Sequence, residues 1–177
     1  HIDSVVNLGV SLIQKNRVKE LLVLLEAELN NFYFHPNNIV DNQLELHRLL
    51  IELYRQTAES QEEYVNKVIY INNSSIADIE RLKYVHPQYK FLLQEQVFLC
   101  IKIGLYDEAI LFGKKLSEYT IHKENKEDQI YASILLAKAY EKAGMLELKD
   151  STIYSVKDFP QYADCWEVVK DVSILKN

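Results

Sequence analysis

The sequence predicts an all-α fold, a right-handed α-solenoid of antiparallel helix pairs with about nine helices. The chain has 177 residues but only 4 glycines and 3 prolines, where average usage of roughly 7% and 5% would give about 21 of the two together. Sheet proteins need such residues at their tight turns, whereas long helices joined by polar loops do not. Apolar residues recur at spacings of three and four, and one segment repeats in the C-terminal half. These observations favour a helical array.

Two antiparallel helices are predicted over residues 2–31. The first apolar stripe ends at Ile13, and a second stripe begins at Val18. The second helix carries an unbroken apolar run at 21–25, although the terminal unit of an array should present a polar face to water. We therefore expect a homodimer surface whose candidate residues are Leu21, Leu22 and Leu25. In the alternative, the aromatic residues 32–34 fold back and cover this run.

The middle of the chain predicts two further helices and then a long connection. Asp41 or Asn42 is expected to cap a third helix, and a fourth helix is expected to begin near Ser60, where Glu63 completes a capping box. Polar residues cluster at 72–75, with the sequence Asn-Asn-Ser-Ser, and such a cluster is typical of a loop. We therefore expect a loop-rich connection over residues 73–87, with a short helix after the polar residues.

From residue 88 the apolar residues again follow a helical spacing, which predicts two helix pairs and a final single helix. These helices are expected at residues 88–103, 106–119, 129–143, 146–158 and 163–175. Gly104 and Gly144 divide the two pairs, a charged loop at 122–128 separates them, and Pro160 precedes the last helix. The chain is thus expected to form one domain, with degenerate N-terminal pairs at 1–72, the loop-rich connection at 73–87, two clearer repeats at 88–159 and the first helix of a further repeat at 160–177.

The two clearer units resemble the tetratricopeptide repeat. Gly104 and Gly144 fall in register, and glycine tolerates the left-handed backbone at a helix end. Small residues suit helices that cross at roughly 8–10 Å, and large aromatic residues fill the wedge between neighbouring units. The candidate packing residues are Gly104, Ala109, Leu136, Ala137, Tyr140, Gly144, Pro160 and Trp166. Cys100 and Lys149 depart from the pattern, and Gly113 has no place in it.

Three strings carry a more specific resemblance. They are IDSVV from residue 2, KELLVLLEAEL from residue 19, and LAKAYEKAG from residue 136, which a proline junction follows. In this order they resemble the N-terminal domain of subunit 7 of the anaphase-promoting complex, and more broadly the sister tetratricopeptide subunits of that cell-cycle ubiquitin ligase. The resemblance implies a non-catalytic scaffold in the nucleus and cytoplasm that forms a homodimer and binds other subunits of the ligase.

Inward positions of the first helices predict what the array binds. The repeat pattern places Gln94, Phe98, Ile134 and Lys138 on the inner face. Repeats that clamp the carboxylate tail of chaperones use Lys and Asn at such positions, and only Lys138 fits. The apolar character of Phe98 and Ile134 predicts instead a groove filled by protein, either a helix of this chain or a partner. The alternative function is therefore an adaptor or sensor that binds a short peptide in this groove.

Composition and spacing argue against an enzyme, a cofactor, a metal, nucleic acid and a membrane. The net charge of −6 and the pI near 5.4 do not provide the basic surface that nucleic-acid binding needs. The five histidines lack a metal-ligand spacing, no phosphate loop or GxSxG elbow occurs, and no apolar run reaches the roughly 18–20 residues of a bilayer span. Acidic clusters at 59–63 and 124–128 are expected to be solvated. Cys100 and Cys165 are expected to be buried free thiols.

Overall fold

Eight helices and no strand make up the secondary structure of the computed structural model, which describes residues 17–33, 40–81, 86–123 and 125–172. The helices are α1 (Val18–Tyr33), α2 (Val40–Thr57), α3 (Gln61–Arg81), α4 (Tyr89–Lys102), α5 (Tyr106–Ile121), α6 (Lys126–Lys142), α7 (Leu146–Tyr154) and α8 (Tyr162–Val172). The predicted all-α class is confirmed. The first of the helices predicted over 2–31 lies outside the described residues. Within the described ranges, no helix is long and apolar enough to cross a membrane.

The chain divides into two compact units, His1–Tyr84 and Val85–Asn177. In the first unit, α1 packs on α2 and α2 packs on α3. Leucines spaced by three and four residues build the core of this unit, because that spacing places them on one face of each helix. The buried cluster comprises Leu21, Leu25, Leu46, Leu50, Leu53, Tyr54 and Ile71.

The predicted dimer surface on α1 is wrong for two of its three residues. Leu21 and Leu25 are 1% and 0% exposed and belong to the core of the first unit, and Leu22 is partly buried against the same core. Leucines of α2 contact this face, a pairing that the sequence of α1 alone does not reveal. The alternative cover by residues 32–34 involves side chains outside the described part of the structure.

The predicted start of α3 is confirmed. The Ser60 hydroxyl accepts a hydrogen bond from the backbone N–H of Glu63 at 3.1 Å, and the Glu63 carboxylate accepts one from the backbone N–H of Glu59 at 2.9 Å. Both interactions satisfy backbone donors that a helix start leaves without intrahelical partners. In a standard capping box the carboxylate accepts from the N–H of the cap residue itself. Here the Glu63 carboxylate accepts from Glu59, the residue before Ser60.

The expected loop-rich connection over 73–87 is wrong for its first nine residues, because α3 continues to Arg81. Two of the four polar residues that indicated a loop, Asn72 and Ser75, lie on the buried face of this helix and are almost fully enclosed, whereas Asn73 is exposed. The Ser75 hydroxyl donates to the carbonyl of Ile71 at 3.0 Å, which satisfies it within the helix. Packing against the rest of the unit therefore outweighs the low helix propensity of Asn and Ser.

The second unit contains the two predicted helix pairs and the final helix. Gly104 and Gly144 have φ angles of 81° and 76°, and each lies in the short turn within a pair, as predicted. The helix pairs α4–α5 and α6–α7 are antiparallel because such short turns reverse the chain. The Asn125 side chain accepts a hydrogen bond from the N–H of Asp128, so α6 begins earlier than expected. Helix α7 ends at Tyr154, earlier than expected.

Helix α6 is the centre of the second unit, since it packs against α4, α5, α7 and α8. Its buried residues are Ile130, Ala132, Ile134, Leu135, Leu136, Ala137, Ala139 and Tyr140. Helix α5 approaches α6 closely at Gly113, where an added Cβ would lie 3.3 Å from the Cα of Leu136 and 3.0 Å from its Cδ1. Gly113, which the repeat pattern does not explain, therefore allows α5 and α6 to approach this closely.

Gly113→Val should lower the free energy of unfolding of the second unit by about 1–3 kcal/mol, because the added atoms overpack the contact with the Leu136 backbone. Urea denaturation followed by the fluorescence of Trp166, the single tryptophan, measures the change. Lys114→Val is the matched control, because it introduces the same β-branched residue at the next, exposed position of α5. Equal destabilisation by the two substitutions would contradict the close approach.

A buried polar pair lies between α2 and α3 in the first unit. His47 is 2% exposed, and its Nδ1 is hydrogen-bonded to the Ser75 hydroxyl. Because that hydroxyl donates to Ile71, the ring donates through Nδ1, and the unprotonated Nε2 has no partner among the described residues. Burial lowers the pKa of His47 from 6.5 to about 4, since the charged ring would lose its hydration.

Lowering the pH from 7.5 to 5 should destabilise the first unit by about 2 kcal/mol through His47. The unfolded ring titrates near 6.5 and the folded ring near 4, so the unfolded state binds more protons in this window and stability falls with the pH. Urea denaturation followed by far-UV circular dichroism measures the effect, while Trp166 fluorescence reports the second unit. His47→Gln should remove this part of the slope, and His122→Gln, at an exposed position, should retain it. An unchanged slope in His47→Gln would contradict the assignment.

Candidate functional site

A groove crosses the second unit along the first turns of α4, α6 and α8. Its volume is about 280 Å³, and it is lined by Lys90, Phe91, Gln94, Glu127, Asp128, Tyr131, Asp164, Cys165 and Val168. Each helix contributes three residues in the same pattern, two adjacent residues and a third one turn later. The three sets begin at residues 90, 127 and 164, so they are separated by equal intervals of 37 residues. Equivalent positions of successive helices therefore build one continuous surface.

An ion pair joins two walls of the groove. The Nζ of Lys90 lies 2.8 Å and 3.0 Å from the two carboxylate oxygens of Asp128, and both side chains are partly buried. The same ammonium lies 4.9 Å from the ring centroid of Phe91. The pair connects α4 to α6 and neutralises one of the carboxylates of the groove.

Two further carboxylates have no such compensation. Glu127 and Asp164 are exposed residues in the first turns of α6 and α8, and neither forms an ion pair with a described residue. Helix N-termini stabilise acidic side chains, which explains why both are tolerated there. The Sγ of Cys165 lies 4.0 Å from the backbone carbonyl of Glu127, so the starts of the two helices are in contact.

Cys165 lies beside these carboxylates as a buried free thiol, as predicted, and Cys100 is also free and buried. Burial raises the pKa of the Cys165 thiol, and the negative charges of Glu127 and Asp164 raise it further. A thiol in this environment stays protonated at neutral pH and is a poor nucleophile. The groove therefore does not have the electrostatics of a cysteine-dependent active site.

Apolar side chains stand exposed at both edges of the groove. Phe91 on α4 is 62% exposed and Val168 on α8 is 54% exposed. Tyr131 on α6 is partly buried between them. In the isolated chain these apolar side chains are in contact with water, and exposed apolar residues of this kind mark surfaces that a binding partner buries.

The sequence placed the groove one turn too far along the helices. Gln94 does line it, but Phe98 is absent from its lining. Ile134 is 0% exposed, so this assignment is wrong, because the packing of α6 encloses that position. Lys138 does not line the groove either, since its Nζ donates to the carbonyl of Val169 at 2.6 Å. The lining residues at 90–91, 127–128 and 164–165 were missed, although their equal spacing is visible in the sequence.

Lys138 instead acts as a cap for α8. The Val169 carbonyl belongs to the last turn of that helix, where carbonyl groups lack intrahelical donors and favour a positive charge. Burial lowers the pKa of the Lys138 ammonium, which is partly enclosed between α6 and α8. This bond therefore fixes the last helix, and with it one wall of the groove.

The predicted packing residues lie in the core or in turns of the second unit. Ala109, Leu136, Ala137 and Tyr140 are buried. Trp166 is partly buried and stacks on Tyr162, with ring centroids 6.0 Å apart. Pro160 is exposed in the turn before α8.

No group of three or more His, Cys, Asp and Glu side chains that could hold a metal ion is found in the ranges that the structure describes. Comparisons with family models, with curated proteins and with solved structures found no match for the chain. The resemblance to the ligase subunits therefore stays a prediction that rests on the residues quoted for it.

Lys138→Met should weaken the docking of α8 by about 1–2 kcal/mol, because the Val169 carbonyl loses a charge-assisted hydrogen bond. Trp166 lies on α8, so its fluorescence during urea denaturation reports this change directly. Lys142→Met removes an exposed lysine from the same helix and is the matched control. If the two variants lose the same stability, the cap assigned to Lys138 is wrong.

Proposed function

We propose that this protein is a non-catalytic interaction module of the helical-repeat type, which holds a segment of a partner protein in the groove between α4, α6 and α8. The observation that carries the proposal is the equal spacing of the lining residues, which begin at 90, 127 and 164. Successive equivalent helices that line one surface are how helical-repeat proteins present binding sites.

The chemistry of the lining also favours a protein ligand. Small-molecule sites are clefts of roughly 300–1,000 Å³ with few placed polar groups, whereas this groove has a volume of about 280 Å³ and four of its nine lining residues are charged. Exposed Phe91 and Val168 provide the apolar anchors that a bound segment would bury. This function corresponds to the alternative that the sequence predicted, an adaptor or sensor that binds a short peptide.

A second function, as a scaffold subunit of a multi-subunit cell-cycle ubiquitin ligase, is implied by the sequence resemblance. One observation favours a role in an assembly: α7 has no buried residue, and Leu146, Leu148 and Tyr154 are largely exposed on it. Homodimerisation also stays a proposal, but it would have to use residues other than Leu21 and Leu25, which the core of the first unit encloses.

A groove variant tests the main proposal. Phe91→Ser combined with Val168→Ser should reduce the affinity for bound partner proteins at least about tenfold, because each side chain loses apolar contact area. The full chain and the variant are compared by affinity purification from native cells with quantitative mass spectrometry. Leu111→Ser, on the exposed side of α5, is the control and should retain the partners. An identical set of partners on all three proteins would contradict the groove as the binding surface.

The same purification tests the scaffold proposal. Consistent recovery of ubiquitin-ligase subunits, with or without the groove substitutions, would support it. Their absence from every preparation would contradict it.

A further inference from the structure

Resting on the proposed function, we propose that the bound segment carries a lysine or arginine beside an apolar side chain, with the cation held between Glu127 and Asp164. The partner is thus a basic and apolar segment of another protein. Three features of the groove support it: the uncompensated charge, the contact between the starts of α6 and α8, and the position of the exposed apolar residues.

The first feature is the charge of the groove. It is lined by three carboxylates and one ammonium group, and the ammonium of Lys90 is bound to Asp128 at 2.8 Å. Glu127 and Asp164 are left exposed and without a described ion-pair partner. The positive ends of the α6 and α8 dipoles lie on the helix axes, whereas the two carboxylates line the groove itself. A ligand in the groove therefore meets negative charge.

The second feature is the distance between the two carboxylate-bearing turns. The contact of the Cys165 Sγ with the Glu127 carbonyl at 4.0 Å joins the first turns of α6 and α8. Asp164 precedes this cysteine directly, so Glu127 and Asp164 lie on the two sides of one opening. Both carboxylates line the same groove, so the guanidinium of an arginine or the ammonium of a lysine placed there is attracted by both of them.

The third feature is the placement of the apolar residues around this opening. Val168 lies one helical turn after Asp164, and Phe91 lies on the opposite wall. A segment whose cation meets the two carboxylates therefore brings its neighbouring side chain over Val168 or Phe91. A second pocket shares Lys90, Phe91 and Asp128 with the groove and is also lined by Lys123, so a second cation is disfavoured at that end.

Other ligands fit less well. An acidic segment would place like charge against Glu127 and Asp164, and nucleic acid would in addition meet the net charge of −6 of the chain. The proposal therefore commits to a basic and apolar protein segment, and the other classes become outcomes of the test.

Selection from a displayed library of random peptides tests the inference on the full chain. Peptides enriched at low salt should carry Lys or Arg next to an apolar residue. Synthetic versions without tryptophan are then titrated by Trp166 fluorescence, since α8 carries both Trp166 and Asp164. Glu127→Gln with Asp164→Asn should weaken binding about tenfold, as should raised salt. Glu118→Gln with Asp107→Asn removes the same charge from exposed positions of α5 and should leave binding unchanged.

The outcomes separate the inference from the proposed function. Enriched peptides without a basic preference that still depend on Phe91 and Val168 would overturn the inference and leave the groove function standing. Basic peptides that bind the Glu127 and Asp164 variant as tightly as the original chain would also overturn the inference. A selection that enriches no peptide, or only peptides that ignore all groove substitutions, would overturn both.

Discussion

The contact of α6 with its neighbours is the constraint on which the second unit depends. This helix packs against four others, and it can do so because Ala132, Ala137 and Ala139 are small and fully or nearly fully buried. On the partner side, Gly113 lets α5 approach the Leu136 backbone to a distance that a Cβ would obstruct. A central helix enclosed in this way fixes the positions of α4 and α8 beside it. The groove is the surface left between the first turns of these three helices.

The electrostatics of the groove follow from the same arrangement. Acidic residues are favourable in the first turn of a helix, so three helix starts side by side concentrate carboxylates. In α4 a lysine occupies the equivalent position, and its ion pair with Asp128 compensates one charge only. The remaining carboxylates share the groove with exposed Phe91 and Val168, and the proposed interaction surface rests on this combination of charge and apolar area. Burial and the same carboxylates raise the pKa of the neighbouring Cys165 thiol, so it stays protonated at neutral pH.

Local signals in the sequence predicted local features well. The turn glycines Gly104 and Gly144 and the cap at Ser60 are found as expected, because left-handed backbone and an unsatisfied helix start each require particular residue types. Features that depend on another element were not predictable in this way. Leu21 and Leu25 of α1 are core because leucines of α2 cover them, whereas Val23 and Leu24 in the same run are exposed. Helix α3 continues through its Asn-Ser segment because Asn72 and Ser75 pack inward. The groove was placed one turn too far because nothing in α6 alone shows where α8 crosses.

Residue-by-residue hydrogen exchange of the native protein tests the central position of α6 most directly. Amides in the middle of α6 should exchange only through global unfolding of the second unit, because this helix is enclosed by four others. Amides of α7, which has no buried residue, should exchange faster through local opening. Equal protection of α6 and α7, or faster exchange in α6, would contradict the account.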